Sequence, residues 1–167
     1  MSWLQLSLSL FLCCLIAGCG TKEPKTAPAK GTVKFKGQAV EGATVTFTRD
    51  SGNIALGEVA IGQTDKDGNF ELFSHFGSKS GASGAVPGEY KVRISKMVPP
   101  PGMSAQQYKK MVDFADKVGS EGGTITPEQQ PPPQVEMFPA KYSSPTASTL
   151  SRTVKDSEMN EFPFDLE

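Results

Sequence analysis

The sequence predicts an all-β protein, a sandwich of seven antiparallel strands. Apolar residues alternate with small or polar residues in several short segments, as in strands with one buried face and one solvated face. The chain of 167 residues also contains 17 Gly and 13 Pro residues, a content that favours turns over long helices. The expected strands are residues 31–36, 43–48, 57–64, 69–74, 89–95, 149–154 and 160–166.

The first two strands alternate most clearly. Val33 and Phe35 share one face of the first strand, and Val45 and Phe47 repeat the pattern in the second. Residues 37–42 begin and end with Gly and are expected to form the turn between them. One face of each strand therefore contributes to a common core.

The third and fourth strands flank the segment Asp65-Lys66-Asp67-Gly68-Asn69. Asp side chains accept hydrogen bonds from nearby backbone, and Gly adopts positive φ without steric cost. A segment of this kind between two alternating strands predicts a β-hairpin. We expect the chain to be organised around this turn.

The same segment resembles part of a calcium loop, which makes Asp65 and Asp67 candidate metal ligands. An EF-hand also needs a third oxygen ligand before its Gly and a bidentate Glu six positions after it. Here Gly68 directly follows the second Asp, and Ser74 stands at the Glu position. We favour a plain tight turn and expect no metal and no cofactor.

The fifth strand follows a loop and a Pro-Gly turn. Residues 75–84 are rich in Gly and Ser and predict a flexible loop. In the strand that follows, Tyr90, Val92 and Ile94 alternate toward the core. A Tyr at the start of a strand can donate a hydrogen bond to backbone a few residues upstream, as in a tyrosine corner. We expect Tyr90 to do so.

Residues 97–146 interrupt the strand pattern and form an insertion before the last two strands. Within it, residues 105–118 have helical spacing, and Ser104 with Gln107 forms a capping box. Gly119 is the expected stop. We expect the helix to dock on the sandwich rather than bind a partner. Its apolar face consists of Tyr108, Met111, Val112, Ala115 and Val118.

The last strand carries a proline on its outward side. Pro163 lacks a backbone N–H, which is tolerated at a sheet edge or a bulge, so this strand is expected at an edge. The aromatic residues that alternate inward along the strands are the expected core. They are Phe35, Phe47, Phe70, Phe162 and Phe164.

Residues 3–17 are mostly apolar and uncharged, which fits the apolar region of a signal peptide and is short for a membrane span. The following Ile16-Ala17-Gly18-Cys19 resembles a bacterial lipobox, in which the Cys becomes the lipidated first residue. The resemblance implies a signal peptide at 1–18, lipidation of Cys19, a polar tether at 19–29 and attachment to a membrane. By the same resemblance, the absence of Asp at Gly20 fits the outer membrane of the cell envelope.

Three segments together resemble carboxypeptidase regulatory-like domains: 31–47, the central turn at 64–70, and the Pro-Gly-x-Tyr strand at 87–92. Residues 139–166 resemble the tail of bacterial lipoproteins built on that domain. The resemblance implies that residues 30–167 form a Greek-key sandwich of the transthyretin (prealbumin) type, generally non-catalytic, with the insertion at 97–146.

The inventory of reactive side chains argues against an enzyme. His75 is the only His, no Gly-x-Ser-x-Gly nucleophile elbow is present, and all three Cys lie at or before Cys19. Hydroxyisourate hydrolases share the sandwich but end in Tyr-Arg-Gly-Ser, whereas this chain ends at 164–167 with Phe-Asp-Leu-Glu.

The charged residues do not indicate a nucleic-acid partner, because the net charge is −1. A basic patch of four strand residues is the alternative, but we favour solvated strand faces as the explanation of these residues. The four are Lys34, Lys36, Lys91 and Arg93.

We therefore expect a lipid-anchored, non-catalytic module that binds or organises an envelope protein or a glycan through residues the sequence does not identify. The alternative is a carbohydrate-binding module. Such modules usually stack sugars on exposed Trp, and the single Trp of this chain, Trp3, would leave with the signal peptide.

Overall fold

The computed structural model describes residues 24–49, 53–77, 80–156 and 159–167. Within them the chain forms twelve strands and two α-helices, α1 (Ala105–Ser120) and α2 (Ala140–Ser143). The strands are β1 (Ala29–Phe35), β2 (Gln38–Ala39), β3 (Thr44–Thr48), β4 (Val59–Gln63), β5 (Asn69–Glu71), β6 (Phe73–Phe76), β7 (Ser80–Ser83), β8 (Gly88–Ser95), β9 (Met97–Val98), β10 (Val135–Glu136), β11 (Leu150–Val154) and β12 (Asn160–Leu166).

The larger sheet, sheet II, contains six antiparallel strands in the order β11-β8-β3-β4-β6-β7. Its central strand β3 pairs on one side with β4 and on the other with β8, so that Thr46 lies between Ile61 and Arg93 on the outer face. The alternating apolar residues of these strands face the other sheet. The all-β sandwich expected from the sequence is confirmed at this level.

The smaller sheet, sheet I, is built around β1. On one side β1 pairs with β12 from Ala29 opposite Asn160 to Phe35 opposite Leu166. On the other side it pairs with β5 and, further along, with β2. The edge position expected for the Pro163 strand is confirmed, because among the described strands β12 pairs with β1 alone.

The pairing of β1 with β12 is parallel, and here the expectation of antiparallel strands throughout is wrong. The chain leaves β11 in sheet II and crosses to sheet I before β12 begins. Because this connection passes between sheets instead of closing a hairpin, it does not force β12 to run against its neighbour.

The predicted strand 69–74 consists of two strands in different sheets. β5 pairs with β1 in sheet I, the chain crosses at the buried Leu72, and β6 then pairs with β4 in sheet II. The central turn therefore joins the two sheets, and the β-hairpin expected directly across it is wrong: β4 pairs not with β5 but with β6, beyond Leu72. The loop expected at 75–84 is also wrong, since it contains the end of β6 and all of β7. The segment Ser80–Ser83 has no apolar alternation, so its sequence carries no strand signal.

The core lies between the two sheets and is centred on Phe47 of β3. Its ring centroid lies 5.7 Å from that of Tyr90 in sheet II and 5.2 Å and 6.4 Å from those of Phe162 and Phe164 in sheet I. The predicted core residues Phe47, Phe70, Phe162 and Phe164 are buried. Phe35 is only half-buried, packed edge-on against Phe138.

Helix α1 begins where the sequence predicts and ends two residues later. Its capping box is confirmed: Ser104 Oγ accepts a hydrogen bond from Gln107 N at 3.2 Å, and Gln107 Oε1 accepts one from Ser104 N at 2.9 Å. The stop expected at Gly119 is wrong, because that residue lies inside the helix. Gly122 ends it instead, at φ 73°, with the N–H of the next residue donating to Val118 O.

The expected docking of α1 is only partial. The apolar face predicted from the sequence is half-buried, and no residue of the helix is fully buried. The helix therefore lies at the periphery of the sandwich, outside the core that holds the sheets together.

The strand directions give the sandwich two distinct ends. At the end where β1 and β12 begin, which we call the N-terminal end, Ala27 is buried and exchanges two backbone hydrogen bonds with Ala85. Ala29 is also buried and starts β1. The last residues of the expected tether 19–29 thus belong to the fold.

Candidate functional site

A groove of about 610 Å³ opens on the outer side of sheet I. We call it the sheet I groove. Most of its lining residues are polar, and two buried aromatic residues, Phe70 and Phe162, are also among them. Its lining consists of Lys30, Gly31, Thr32, Gln63, Asp65, Asn69, Phe70, Glu71, Glu161, Phe162 and Pro163.

The register of sheet I assembles this groove. On β1, Thr32 lies between Asn69 of β5 and Pro163 of β12. Two residues earlier, Lys30 occupies the same position between Glu71 and Glu161. Outward side chains of three adjacent strands therefore converge, although they come from distant parts of the chain.

One ion pair crosses the groove wall. Lys30 Nζ lies 3.2 Å from Glu161 Oε1, and the two side chains are 46% and 68% exposed. A pair this exposed contributes little to stability, because water screens it and both long side chains lose freedom. It leaves the ammonium and the carboxylate accessible to a ligand.

The central turn forms one end of the groove. Asp65 Oδ1 accepts hydrogen bonds from the backbone N–H groups of Asn69 at 2.8 Å and Asp67 at 2.9 Å. These bonds, that from Asn69 first, lower the pKa of Asp65 below its ordinary value, so the carboxylate is charged at neutral pH. The tight turn predicted at this segment is confirmed.

Gly68 fixes this turn against β1. It adopts φ 78°, and its carbonyl accepts a hydrogen bond from Val33 N at 2.8 Å. A Cβ at this position would lie 2.6 Å from Val33 O, closer than carbon and oxygen approach. Both the backbone conformation and the close approach therefore require glycine.

The metal candidates Asp65 and Asp67 are placed by this turn. Oδ1 of Asp65 is engaged by two backbone donors, and Asp67 contributes its own backbone N–H to the same oxygen. In residues 24–49, 53–77, 80–156 and 159–167, no three His, Cys, Asp or Glu side chains are grouped so that they could hold a metal ion.

The groove can form hydrogen bonds of both kinds. The amides of Gln63 and Asn69 and the hydroxyl of Thr32 donate and accept, Lys30 donates, and the carboxylates accept. Neither Ser, His nor Cys is among its lining residues. This chemistry suits the binding of a polar ligand.

A second concavity, of about 830 Å³, lies on the outer face of sheet II, over β3, β8 and β11. It includes Lys91 and Arg93, two of the four residues of the conceivable basic patch. The other two, Lys34 and Lys36, lie on β1 and in the turn after it, in sheet I. The four cations belong to different faces of the sandwich and do not form one patch.

His75 lies on β6, on the exposed outer face of sheet II. Its ring packs edge-on against Phe73 at a centroid distance of 5.2 Å. Among the described residues, the structure thus places His75 in a surface aromatic contact and outside both concavities.

Tyr90 confirms the expected tyrosine corner. Its hydroxyl donates to Val86 O at 2.6 Å, across the turn that leads into β8. Burial raises the pKa of this phenol above its ordinary value, opposed by the nearby Arg49 charge. The residue fixes the start of β8 at the N-terminal end of the sandwich.

Of the groove residues, only Asp65 was a candidate site residue from the sequence. From the sequence alone, four of the others can be recognised as outward-facing positions of strands and as nothing more: Lys30, Thr32, Gln63 and Glu161. Which outward residues meet depends on the pairing of β1 with β5 and β12. That pairing is long-range and has no local sequence signal.

The predicted lipidation site Cys19 lies outside the described residues. No helix in the described part of the chain has both the length and the apolar character needed to cross a bilayer. The chain matches no family model, no curated protein and no solved structure.

Proposed function

We propose that the chain is a lipid-anchored, non-catalytic β-sandwich protein of the cell envelope that acts as a binding or structural module. The observation that carries this proposal is the segment Ile16-Ala17-Gly18-Cys19 at the end of an uncharged apolar stretch. Lipid on Cys19 would hold the protein on a membrane, with Gly20 favouring the outer membrane. Several acyl chains make such attachment stable, because each buried methylene contributes about 0.8 kcal/mol.

The proposed domain type is a transthyretin-like sandwich of the carboxypeptidase regulatory-like kind. The two packed sheets, the Asp65 turn and the Tyr90 corner support it. The parallel pairing of β1 with β12 departs from a purely antiparallel Greek key. The resemblance in the first strands and the central turn is what favours this family.

The proposed role is binding rather than catalysis. The sheet I groove presents amides, carboxylates and an ammonium group on a rigid sheet, with no hydroxyl or thiol nucleophile held by a base among its lining residues. Such a surface recognises a polar partner by hydrogen bonds. The proposed partners are an envelope protein or a glycan.

Detergent-phase partition of protein expressed in a bacterium tests the anchor. Wild-type protein should enter the detergent phase and incorporate a labelled fatty acid. The variant Cys19→Ala should lose the label and accumulate as precursor, whereas the control Cys14→Ala should behave like wild type. Equal labelling of Cys19→Ala and wild type would contradict the proposal.

A second candidate function is carbohydrate binding in the sheet I groove. Amides and carboxylates around the apolar Pro163 are a suitable surface for a sugar's hydroxyls and its C–H face. An array of envelope glycans tests it. Gln63→Ala should abolish binding, and the control Gln38→Ala, on exposed β2 outside the groove, should preserve it. Absence of any bound glycan would remove this candidate.

A further inference from the structure

Three large apolar side chains project from loops into solvent at one end of the sandwich. Ile54 is 47% exposed, and Leu56 and Met159 are each 55% exposed. We call these three residues the apolar tip. Exposed apolar residues on loops indicate a contact surface when another feature of the molecule identifies the partner that covers them.

All three residues lie at the N-terminal end of the sandwich. Ile54 and Leu56 belong to a short 3-10 turn between β3 and β4, whose strand ends Thr48 and Val59 are paired. The turn packs on β6, and the position next to it, Gly57, faces the side chain of Val86. The neighbouring residue Ala85 bonds to Ala27, so this loop and the entering chain share one end.

Met159 reaches the same end from the other sheet. It directly precedes Asn160, whose backbone N–H and side-chain amide donate to Pro28 O at 3.0 Å and 3.1 Å. Pro28 is the residue after Ala27, where the chain enters the fold. The apolar tip therefore lies at the end of the sandwich from which the N-terminal segment leaves.

The length of that segment limits where the sandwich can lie. Eight residue steps separate Cys19 from the first buried residue, Ala27. Fully extended, they span at most about 29 Å. A domain of about 140 residues has a radius of gyration of about 14 Å and hence a diameter of about 37 Å. A lipid on Cys19 therefore cannot reach the bilayer if the sandwich stands inverted, with its N-terminal end a full diameter away from the lipid.

We propose that the apolar tip contacts the bilayer that holds the acyl chains of Cys19, with Ile54, Leu56 and Met159 at the boundary between headgroups and acyl chains. This inference rests on the proposed lipid anchor. The contact fixes the orientation of the sandwich: the N-terminal end faces the lipid, and the opposite end, with the Asp65 turn, faces away.

The charges at this end do not select a lipid type. Described charges of both signs lie here: Lys25 and Asp156 pair at 3.3 Å, Lys30 pairs with Glu161 at 3.2 Å, and Lys155 is exposed. With little excess of either sign, the contact depends on apolar side chains. It should therefore form on vesicles of neutral phosphatidylcholine and change little with salt.

Depth-dependent fluorescence quenching tests the orientation. The acylated mature protein, which begins at Cys19, is purified from membranes. Because its Cys19 is acylated, it has no free thiol of its own, so an introduced Cys can be labelled with a polarity-sensitive dye. The labelled variants are Leu56→Cys and Met159→Cys at the apolar tip and Glu41→Cys at the opposite end. All three positions are exposed, so labelling leaves the core intact. The proteins are reconstituted in phosphatidylcholine vesicles that carry a quencher on their acyl chains.

The expected result is a blue shift and strong quenching at Leu56→Cys and Met159→Cys, with unchanged emission at Glu41→Cys. Adding Ile54→Gln to Met159→Cys should reduce the quenching. The matched addition Met97→Gln, an equally exposed apolar residue at the opposite end, should not. Emission at Leu56→Cys and Met159→Cys equal to that at Glu41→Cys would overturn the inference.

Vesicle flotation separates this failure from failure of the anchor. Protein that floats with vesicles but shows no quenching at the apolar tip is anchored in another orientation, and only the present inference falls. Protein that does not float, and carries no lipid by mass spectrometry, lacks the anchor. The proposed function and this inference then fall together.

Discussion

A single carboxylate oxygen shapes the central turn. Oδ1 of Asp65 accepts two backbone hydrogen bonds, which stabilise its charged form and lower its pKa relative to the unfolded chain. A group with a lowered pKa contributes stability that is complete above its unfolded value and is lost as pH falls through its folded value. The turn should therefore weaken in acid.

The test compares wild type with Asp65→Asn, which keeps a side-chain oxygen as acceptor but has no charge to titrate. Urea unfolding should show wild type to be the more stable protein at neutral pH. The difference should shrink as pH falls below the ordinary value of 3.8. Asp67→Asn removes the same charge two residues along the turn and controls for general charge effects. A wild-type advantage that persists unchanged in acid would contradict this account.

Gly68 allows backbone strain and steric contact to be separated. Gly68→Ala should lower the free energy of unfolding by about 1–3 kcal/mol, because of positive φ and the clash with Val33 O. Gly37 has nearly the same φ, 79°, but open space around its Cβ position. Gly37→Ala should therefore cost less. Equal losses in chemical denaturation would show that the approach to β1 is unimportant.

The hydroxyl of Tyr90 provides a measurement in alkali. Tyr90→Phe removes its hydrogen bond to Val86 O and should cost about 0.5–1.5 kcal/mol at neutral pH. Burial raises the pKa of this phenol, so its contribution is complete below the ordinary value of 10.0 and is lost as pH rises through the folded value. Wild type should thus lose stability above pH 10 more steeply than Tyr90→Phe. Parallel curves would contradict the assignment.

At this scale the sequence was most informative where the partners are close along the chain. The Asp65 turn, the Ser104 capping box and the Tyr90 corner each join residues no more than four apart, and all three were predicted. The sheet I groove joins Lys30 to Glu161, and no local rule brings such residues together.

Among the elements, β5 and β6 show what alternation does and does not determine. The period of two marked residues 69–74 as extended, which is correct for both strands. It does not show that the chain changes sheets at Leu72, because the side-chain pattern continues across the crossing. The parallel direction of β12 could not be predicted either, because the sequence of a strand does not determine which strand it pairs with.

The elements also differ in how much they contribute to folding. No residue of α1 is buried, whereas Phe47 of β3 is fully buried and meets rings of both sheets.

Replacing residues 104–122 with a Gly-Ser linker of equal length should remove the helical part of the circular dichroism spectrum and leave one cooperative transition. Phe47→Ala should cost about 3–5 kcal/mol. Unfolding by the linker with a silent Phe47→Ala would place the core elsewhere.

For the whole molecule, the fold and the proposed anchor together describe a sandwich held close to a membrane by its N-terminal end. Since Ala27 is buried and bonded to Ala85, only eight residue steps separate Cys19 from the first buried residue of the fold. The polar sheet I groove runs along the outer side of β1, with the Asp65 turn toward the opposite end. A partner in the envelope could reach it while the protein stays on the lipid.

Intact-mass spectrometry of protein extracted from bacterial membranes tests the anchor most directly. The account predicts a mature chain that begins at Cys19, lacks Trp3 and carries the added mass of acyl chains on its first residue. Because Trp3 is the single Trp, the same sample should show Tyr-type fluorescence only. An unmodified chain that still begins at Met1, or a cleaved chain with a free thiol at Cys19, would contradict the account.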